Sequence, residues 1–128
     1  MRGDRVLDGK YVVFVVDDEV IIAKTLWIIL NQAGFQATAF SGPDDAITAR
    51  AELVPDLLIS DVVMPGMSGV ELAIHFRKAQ PDCKILLFSG QATTANFLEE
   101  ARCQGFDFEL LPKPVHPVQL LQKLNSKL

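Results

Sequence analysis

The 128-residue chain is 49% apolar and 22% charged, carries a net charge of −4, and holds two cysteines. That balance describes one folded domain with its own core and excludes a disordered chain. The negative charge argues against direct nucleic-acid binding as the main function, and two cysteines are too few to staple a fold, so a reducing compartment is expected. No stretch reaches the ~20 apolar residues of a bilayer span; the greasiest segment, Val20 to Leu30, is broken by Lys24 and Thr25. The opening MRGDRVLDGK has no apolar signal region. A cytoplasmic protein with no membrane contact is expected, with residues 1–10 a flexible segment and 11–128 the domain.

Tyr11–Val16 (YVVFVV) is a nearly continuous apolar run, the pattern of a parallel strand buried on both faces. Asp17, Asp18 and Glu19 follow it. A helical pattern over 19–33 has Ile22, Leu26, Ile29, Leu30 and Ala33 on its core face, and Gly34 stands where a left-handed C-cap usually falls. Ile21 and Ile28 fall on the outward side, among Lys24, Thr25, Asn31 and Gln32. Phe35–Phe40 alternates, as an edge strand does, and leads through Ser41-Gly42-Pro43 into a helix over 43–53 opened by Pro43. Asp56–Ser60 (DLLIS) is a buried strand followed by Asp61. The turn-forming Met64-Pro65-Gly66-Met67-Ser68-Gly69 then leads to a helix over 68–79 with Ser68 as N-cap. Lys84–Phe88 (KILLF) runs into Ser89-Gly90, and a helix over 93–104, capped by Thr93 or Thr94, ends before Gly105. Phe106–Leu111 is the last predicted strand; Lys113-Pro114 follows it, and a helix over 117–127 opens at Pro117.

Strands alternating with helices imply an α/β sheet with right-handed crossovers, in which function collects at the carboxyl ends of the strands. Those ends carry Asp17, Asp18, Asp61, Ser89 and Lys113. The three carboxylates repel one another, so at least one pKa is expected to rise, and an all-oxygen donor set favours Mg²⁺, or else Mn²⁺. Lys113 adds a mobile positive charge and Ser89 a hydrogen-bond donor. These parts suit phosphoryl transfer, with Asp61 as the nucleophile that becomes an aspartyl phosphate.

The segments VVDDE (15–19), SDVVMPGMSG (60–69), LLFSG (86–90) and LPKPV (111–115) closely resemble the receiver domain of bacterial two-component response regulators, over about Tyr11 to Leu128. The resemblance implies a flavodoxin-like (βα)5 fold, a doubly wound sandwich with strand order 2-1-3-4-5. It implies that Asp61 takes a phosphoryl group from a histidine kinase or histidine phosphotransfer protein and switches contacts with a downstream protein. It further implies direct Mg²⁺ ligation by Asp18, Asp61 and the Val63 backbone carbonyl, with Asp17 acting through water. Ser89 and Lys113 would engage the phosphoryl group, and Lys113–Pro114 would be cis. The chain is expected to catalyse only its own phosphorylation and dephosphorylation. The 128 residues hold no output domain, and both a stand-alone receiver and a part of a larger regulator or hybrid kinase stay open.

The family's aromatic residue three places before the lysine is Leu110 here, with Phe106 and Phe108 earlier. Val63 and Gln91 occupy the positions that tune phosphate lifetime in the family. Ile21 and Ile28 are read either as scattered surface apolars or, because the resemblance places phosphodonor contacts on the first helix, as a docking patch for the phosphodonor. His75 and His116 are read as solvated or capping residues, Cys83 and Cys103 as free thiols at the far end of the sheet, and Trp27 as partial core. A degenerate receiver acting as a constitutive scaffold is the alternative. A haloacid-dehalogenase-like phosphatase fits less well, since Asp17-Asp18-Glu19-Val20 does not match D-x-D-x-[TV]. A flavin-binding flavodoxin is excluded by the acidic first loop, which repels a phosphate.

Overall fold

The computed structural model describes residues 11–90, 94–113 and 116–128. In chain order these form β1 (Val12–Val16), α1 (Val20–Gln32), β2 (Gln36–Phe40), α2 (Pro43–Ala49), β3 (Leu57–Asp61), α3 (Gly69–Ala79), β4 (Lys84–Ser89), α4 (Thr94–Cys103), β5 (Glu109–Pro112) and α5 (Pro117–Lys127). The strands make one parallel sheet in the order β2-β1-β3-β4-β5, as the sequence implied. Among the described residues no helix is long and apolar enough to cross a membrane.

Alternating side chains of each strand feed two separate cores. Phe14, Val16, Leu58 and Leu87 point to the side covered by Ala46 of α2, Leu72 and Phe76 of α3 and Ala101 of α4. Val13, Val15, Ile59, Leu86 and Phe88 point to the other side, against Leu26 and Leu30 of α1 and Leu120 and Leu124 of α5. Both faces of β1 and β3 are therefore covered, which is why β1 is apolar throughout and β3 is apolar from Leu57 to Ile59. The register is set at the end of the sheet where β1 begins. The buried Asp56 accepts from the Val12 amide at 2.8 Å and donates its own amide to the Val12 carbonyl, while its carbonyl receives the Lys84 amide at 3.0 Å.

The helix ends follow their sequence signals. Gly34 and Gly105 have φ of +97° and +91°. At each, the two bonds of a Schellman motif close the helix: Gly34 and Phe35 donate to Asn31 and Leu30, and Gly105 and Phe106 donate to Arg102 and Ala101. Ser68 caps α3 in a reciprocal capping box with Glu71, and Pro43 and Pro117 open their helices.

Some expected elements differ. The helix predicted over 43–53 ends at Ala49, because the amides of Ala51 and Glu52 bond three residues back and tighten the chain into turns. The last strand starts at Glu109 rather than Phe106. The Schellman bonds of Gly105 carry the chain past Phe106, whose ring stacks on Phe108 at 5.9 Å, and Phe108 is buried with the Arg77 guanidinium over it at 5.5 Å. On α1, Ala23 is buried where Ala33 was expected, since Ala33 is the C-cap and exposed. Trp27 is 41% exposed and lies along β2 rather than in the core.

β2 is an edge strand paired only with β1. Gln36 donates to Tyr11 and Phe40 accepts from Asp17, so the backbone N–H and C=O groups of residues 36, 38 and 40 point to β1 while those of Ala37 and Ala39 point to the open edge. The Asn31 side chain of α1 reaches over this edge: its oxygen accepts the Ala37 amide at 3.2 Å, and its amide donates to the Ala37 carbonyl at 3.4 Å. Both cysteines are free thiols. Cys103 is exposed, whereas Cys83 is buried and its thiol is pushed up to about 11 by burial, so it stays protonated. The possible helix cap Thr93, the lifetime position Gln91, the Lys113–Pro114 bond and residues 1–10 lie outside the described residues; for Thr94 only the backbone is described.

Candidate functional site

The parallel register brings the strand ends level. Val16 lies opposite Ser60, Asp61 opposite Phe88, and Ser89 opposite Pro112. Asp17 therefore emerges beside Asp61, and Ser89 beside the start of the loop holding Lys113, whose amide donates to the Ser89 carbonyl at 3.1 Å. Residues 96 positions apart in sequence meet here only because four strands end together.

At the centre is the Lys113 ammonium. It donates to Asp17 Oδ2 at 3.2 Å and Glu19 Oε1 at 3.3 Å, and it pairs with Asp61 Oδ2 at 3.3 Å. It also lies 5.2 Å from the centre of the Phe88 ring. Asp17 is wholly buried, with Oδ1 taken by the Glu19 amide at 2.9 Å and Oδ2 by Lys113. Asp61 is buried in the floor of a cleft of about 450 Å³ lined also by Asp18, Glu19, Val63, Gly90 and Lys113. The Ser89 hydroxyl is carried on a buried strand end.

Burial raises Asp17 and Asp61 above the ordinary carboxylate range, and Lys113 pulls both back down. Burial also works to lower Lys113, but Asp17 and Asp61 outweigh it and its pKa is raised. The ammonium thus stays charged as the internal counter-ion of the cluster.

The sequence-predicted residues Asp17, Asp61, Ser89 and Lys113 converge on this end of the sheet. Asp18 is exposed and lines the cleft mouth. Among the described residues, the carboxylate oxygens that gather within 4.8 Å of one another belong to Asp17, Glu19 and Asp61. Glu19 was not picked out from the sequence as a site residue; its place directly after two aspartates at a strand end was the available signal. Hard oxygen donors at this spacing fit a small divalent cation.

Gly69 holds the end of β3 from behind. A Cβ built on it would lie 1.9 Å from the Asp61 backbone oxygen and 3.0 Å from Ser60 Oγ, and its amide donates to Val62 at 2.8 Å. The first turn of α3 therefore packs directly on the Asp61 peptide. Gly66, in the intervening turn, has φ of +83°, the left-handed conformation that glycine adopts without strain.

Beside Lys113, an apolar groove of about 490 Å³ runs between α1 and α5, lined by Ile21, Ile22, Thr25, Leu26, Ile29, Phe88, Lys113 and Pro117. Ile21 is 81% exposed and Ile28, outside the groove, 40%. Leu110 is half-buried opposite Leu87. Phe108 precedes β5, at the end of the sheet away from Lys113, so neither aromatic lies where the family carries one.

The family model for the response regulator receiver domain matches residues 13–125. The chemotaxis protein CheY of Thermotoga maritima is 29% identical over 115 residues, covering 89% of this chain and 94% of that protein. The DNA-binding response regulator MtrA of Mycobacterium tuberculosis is 28% identical over 116 residues; the match covers 91% of this chain and 50% of MtrA, so the chain spans about half the length of that relative. The solved structure of chemotaxis protein CheY4 of Vibrio cholerae superposes with a TM-score of 0.81 at 26% identity, covering 93% of this chain and 99% of that one. A CheY-like receiver from Methanospirillum hungatei gives 0.83 at 24% identity, covering 92% and 93%.

Proposed function

This chain belongs to the family of response regulator receiver domains, and from that membership we propose that Asp61 accepts a phosphoryl group from a partner histidine kinase or histidine phosphotransfer protein. The observation that supports this most is the single ammonium of Lys113 within 3.3 Å of Asp17, Glu19 and Asp61 at the carboxyl end of the sheet. Residues 11–128 act as the receiver unit, in the cytoplasm, and the phosphoryl group switches contacts with a downstream protein.

In the transfer, an Asp61 carboxylate oxygen forms the bond to phosphorus as the donor's phosphorus–nitrogen bond breaks and its electron pair returns to the imidazole. Asp18, Asp61 and the Val63 carbonyl are the residues that would hold Mg²⁺, or Mn²⁺. Asp17, with both oxygens already engaged, acts through water and through Lys113. A cation held there would supply neutralisation of the negative charge that gathers on the transferring group. Lys113 and the Ser89 hydroxyl then turn to the phosphoryl oxygens, so the new charge draws inward groups that had other partners.

Incubation with acetyl phosphate and Mg²⁺ is expected to add one phosphoryl group by intact mass, and Asp61→Asn to abolish the gain. A folded, Mg²⁺-saturated wild type that gains nothing would favour a constitutive scaffold.

Docking of the phosphodonor on α1 is supported by the exposed Ile21 and Ile28 and by the groove that ends at Lys113. Ile28→Glu is expected to slow transfer from the kinase severalfold while leaving labelling by acetyl phosphate at the wild-type rate. Equal slowing of both would place the defect in the site rather than in docking.

A further inference from the structure

Glu19 occupies the N-cap of α1 but does not cap it. N-cap side chains ordinarily accept a hydrogen bond from the first free amides of the helix, and the Glu19 side chain makes no such bond. Its carboxylate reaches Lys113 instead, with Oε1 3.3 Å from the ammonium. The Glu19 amide donates to Asp17 Oδ1 at 2.9 Å, so the residue grips both members of the Asp17–Lys113 pair.

An ammonium has three N–H donors, and here three carboxylates share them. A further acceptor must displace one of the three. Asp17 and Asp61 have 0% and 8% of their side-chain surface exposed, whereas Glu19 has 62%. Water screens the Glu19 pair and rehydrates its carboxylate on release, so it is the partner most easily given up.

Resting on the assignment of Asp61 as the phosphoryl acceptor, we propose that Glu19 is a positioning residue for Lys113: it shares the ammonium while Asp61 is unmodified and surrenders it to the phosphoryl group. Glu19 thereby opposes the inward commitment of Lys113 and weakens the phosphorylated arrangement. An exposed pair of this kind changes an equilibrium by roughly two- to fivefold.

The test is calorimetric titration of the whole chain with beryllofluoride, a phosphoryl mimic, at saturating Mg²⁺. Glu19→Gln removes the charge; Glu19→Asp keeps the charge but is one methylene too short to hold the ammonium. Both variants are expected to bind beryllofluoride roughly two- to fivefold more tightly than wild type. Both should also shift the NMR signal of the Lys113 ε-methylene before any mimic is added, which a capping role alone would not do. Unchanged affinity in both variants would overturn the proposal, as would tightening in Glu19→Gln alone, which would assign the effect to charge at the cleft mouth. Wild type that binds no beryllofluoride would overturn the Asp61 assignment and the proposal with it; binding by wild type with no effect of either variant overturns the Glu19 role only.

Discussion

Gly69→Ala is expected to cost about 3 kcal/mol of stability and to suppress phosphoryl acceptance even in the fraction that folds. The added carbon would sit 1.9 Å from the backbone oxygen of Asp61, a distance that no rotamer relieves because both partners are main chain. Either α3 moves away from the sheet, opening the packing of Val70, Leu72 and Phe76, or the Asp61 peptide turns and carries its carboxylate away from Lys113. Urea denaturation and mass gain with acetyl phosphate measure the two consequences. A wild-type midpoint would show that α3 slides freely along its axis, contrary to the capping box and the Gly69–Val62 bond that fix its start.

Lys113→Met, which keeps the length of the stem and removes the charge, is expected to destabilise the Mg²⁺-free protein by about 2–3 kcal/mol near pH 7, below the roughly 3–5 typical when a fully buried pair loses one partner, because the cleft is open to water. The loss should depend on pH with a definite sign. Burial already raises Asp17 and Asp61; the Glu19 amide and Lys113 lower Asp17, and Lys113 is the main influence lowering Asp61, so without Lys113 both rise further. A carboxyl whose folded pKa exceeds its unfolded value of about 3.9 binds its proton more readily in the folded state. Stability then increases as pH falls through the folded value and is lost as pH rises. The variant's deficit should therefore shrink as the pH is lowered from 7, and Mg²⁺ should restore stability at pH 7 by replacing the missing charge. Thermal unfolding across pH, with and without Mg²⁺, reads both effects. A deficit that stayed constant across pH would mean that Lys113 stabilises by packing on Phe88 rather than by charge.

Much of this could be read in the chain. β1, β3 and β4 are legible because strands buried on both faces are written almost entirely in Val, Ile, Leu and Phe, and such runs have few alternatives. The caps at Gly34, Ser68 and Gly105 are legible because each answers a local geometric need. Phe106–Leu111 misleads because apolar aromatics fill a buried connection as readily as a strand, and only the bonds after Gly105 separate the two. The convergence of Asp17, Asp61, Ser89 and Lys113 follows from the topology. What local pattern cannot reveal is long-range contact: Gly69 reads as a turn residue, and its approach to the Asp61 peptide exists only after α3 has packed. Glu19 is hidden for a related reason, since its partner lies 94 positions away and the position it occupies is ordinarily a helix cap.

The arm of Asn31 over β2 bears on how the protein behaves in a crowd. The outer rim of a parallel sheet is a row of unclaimed amides and carbonyls, onto which a strand from another molecule can zip. In the five residues of β2 the backbone groups of Ala37 and Ala39 are the ones turned to the open edge, and Asn31 answers both backbone groups of Ala37 from the chain's own helix. An incoming strand would have to evict that side chain before its second rung could form. The rim is thereby interrupted at Ala37, and a single amide stands where a strand from another molecule would have to pair for the sheet to extend through this flank.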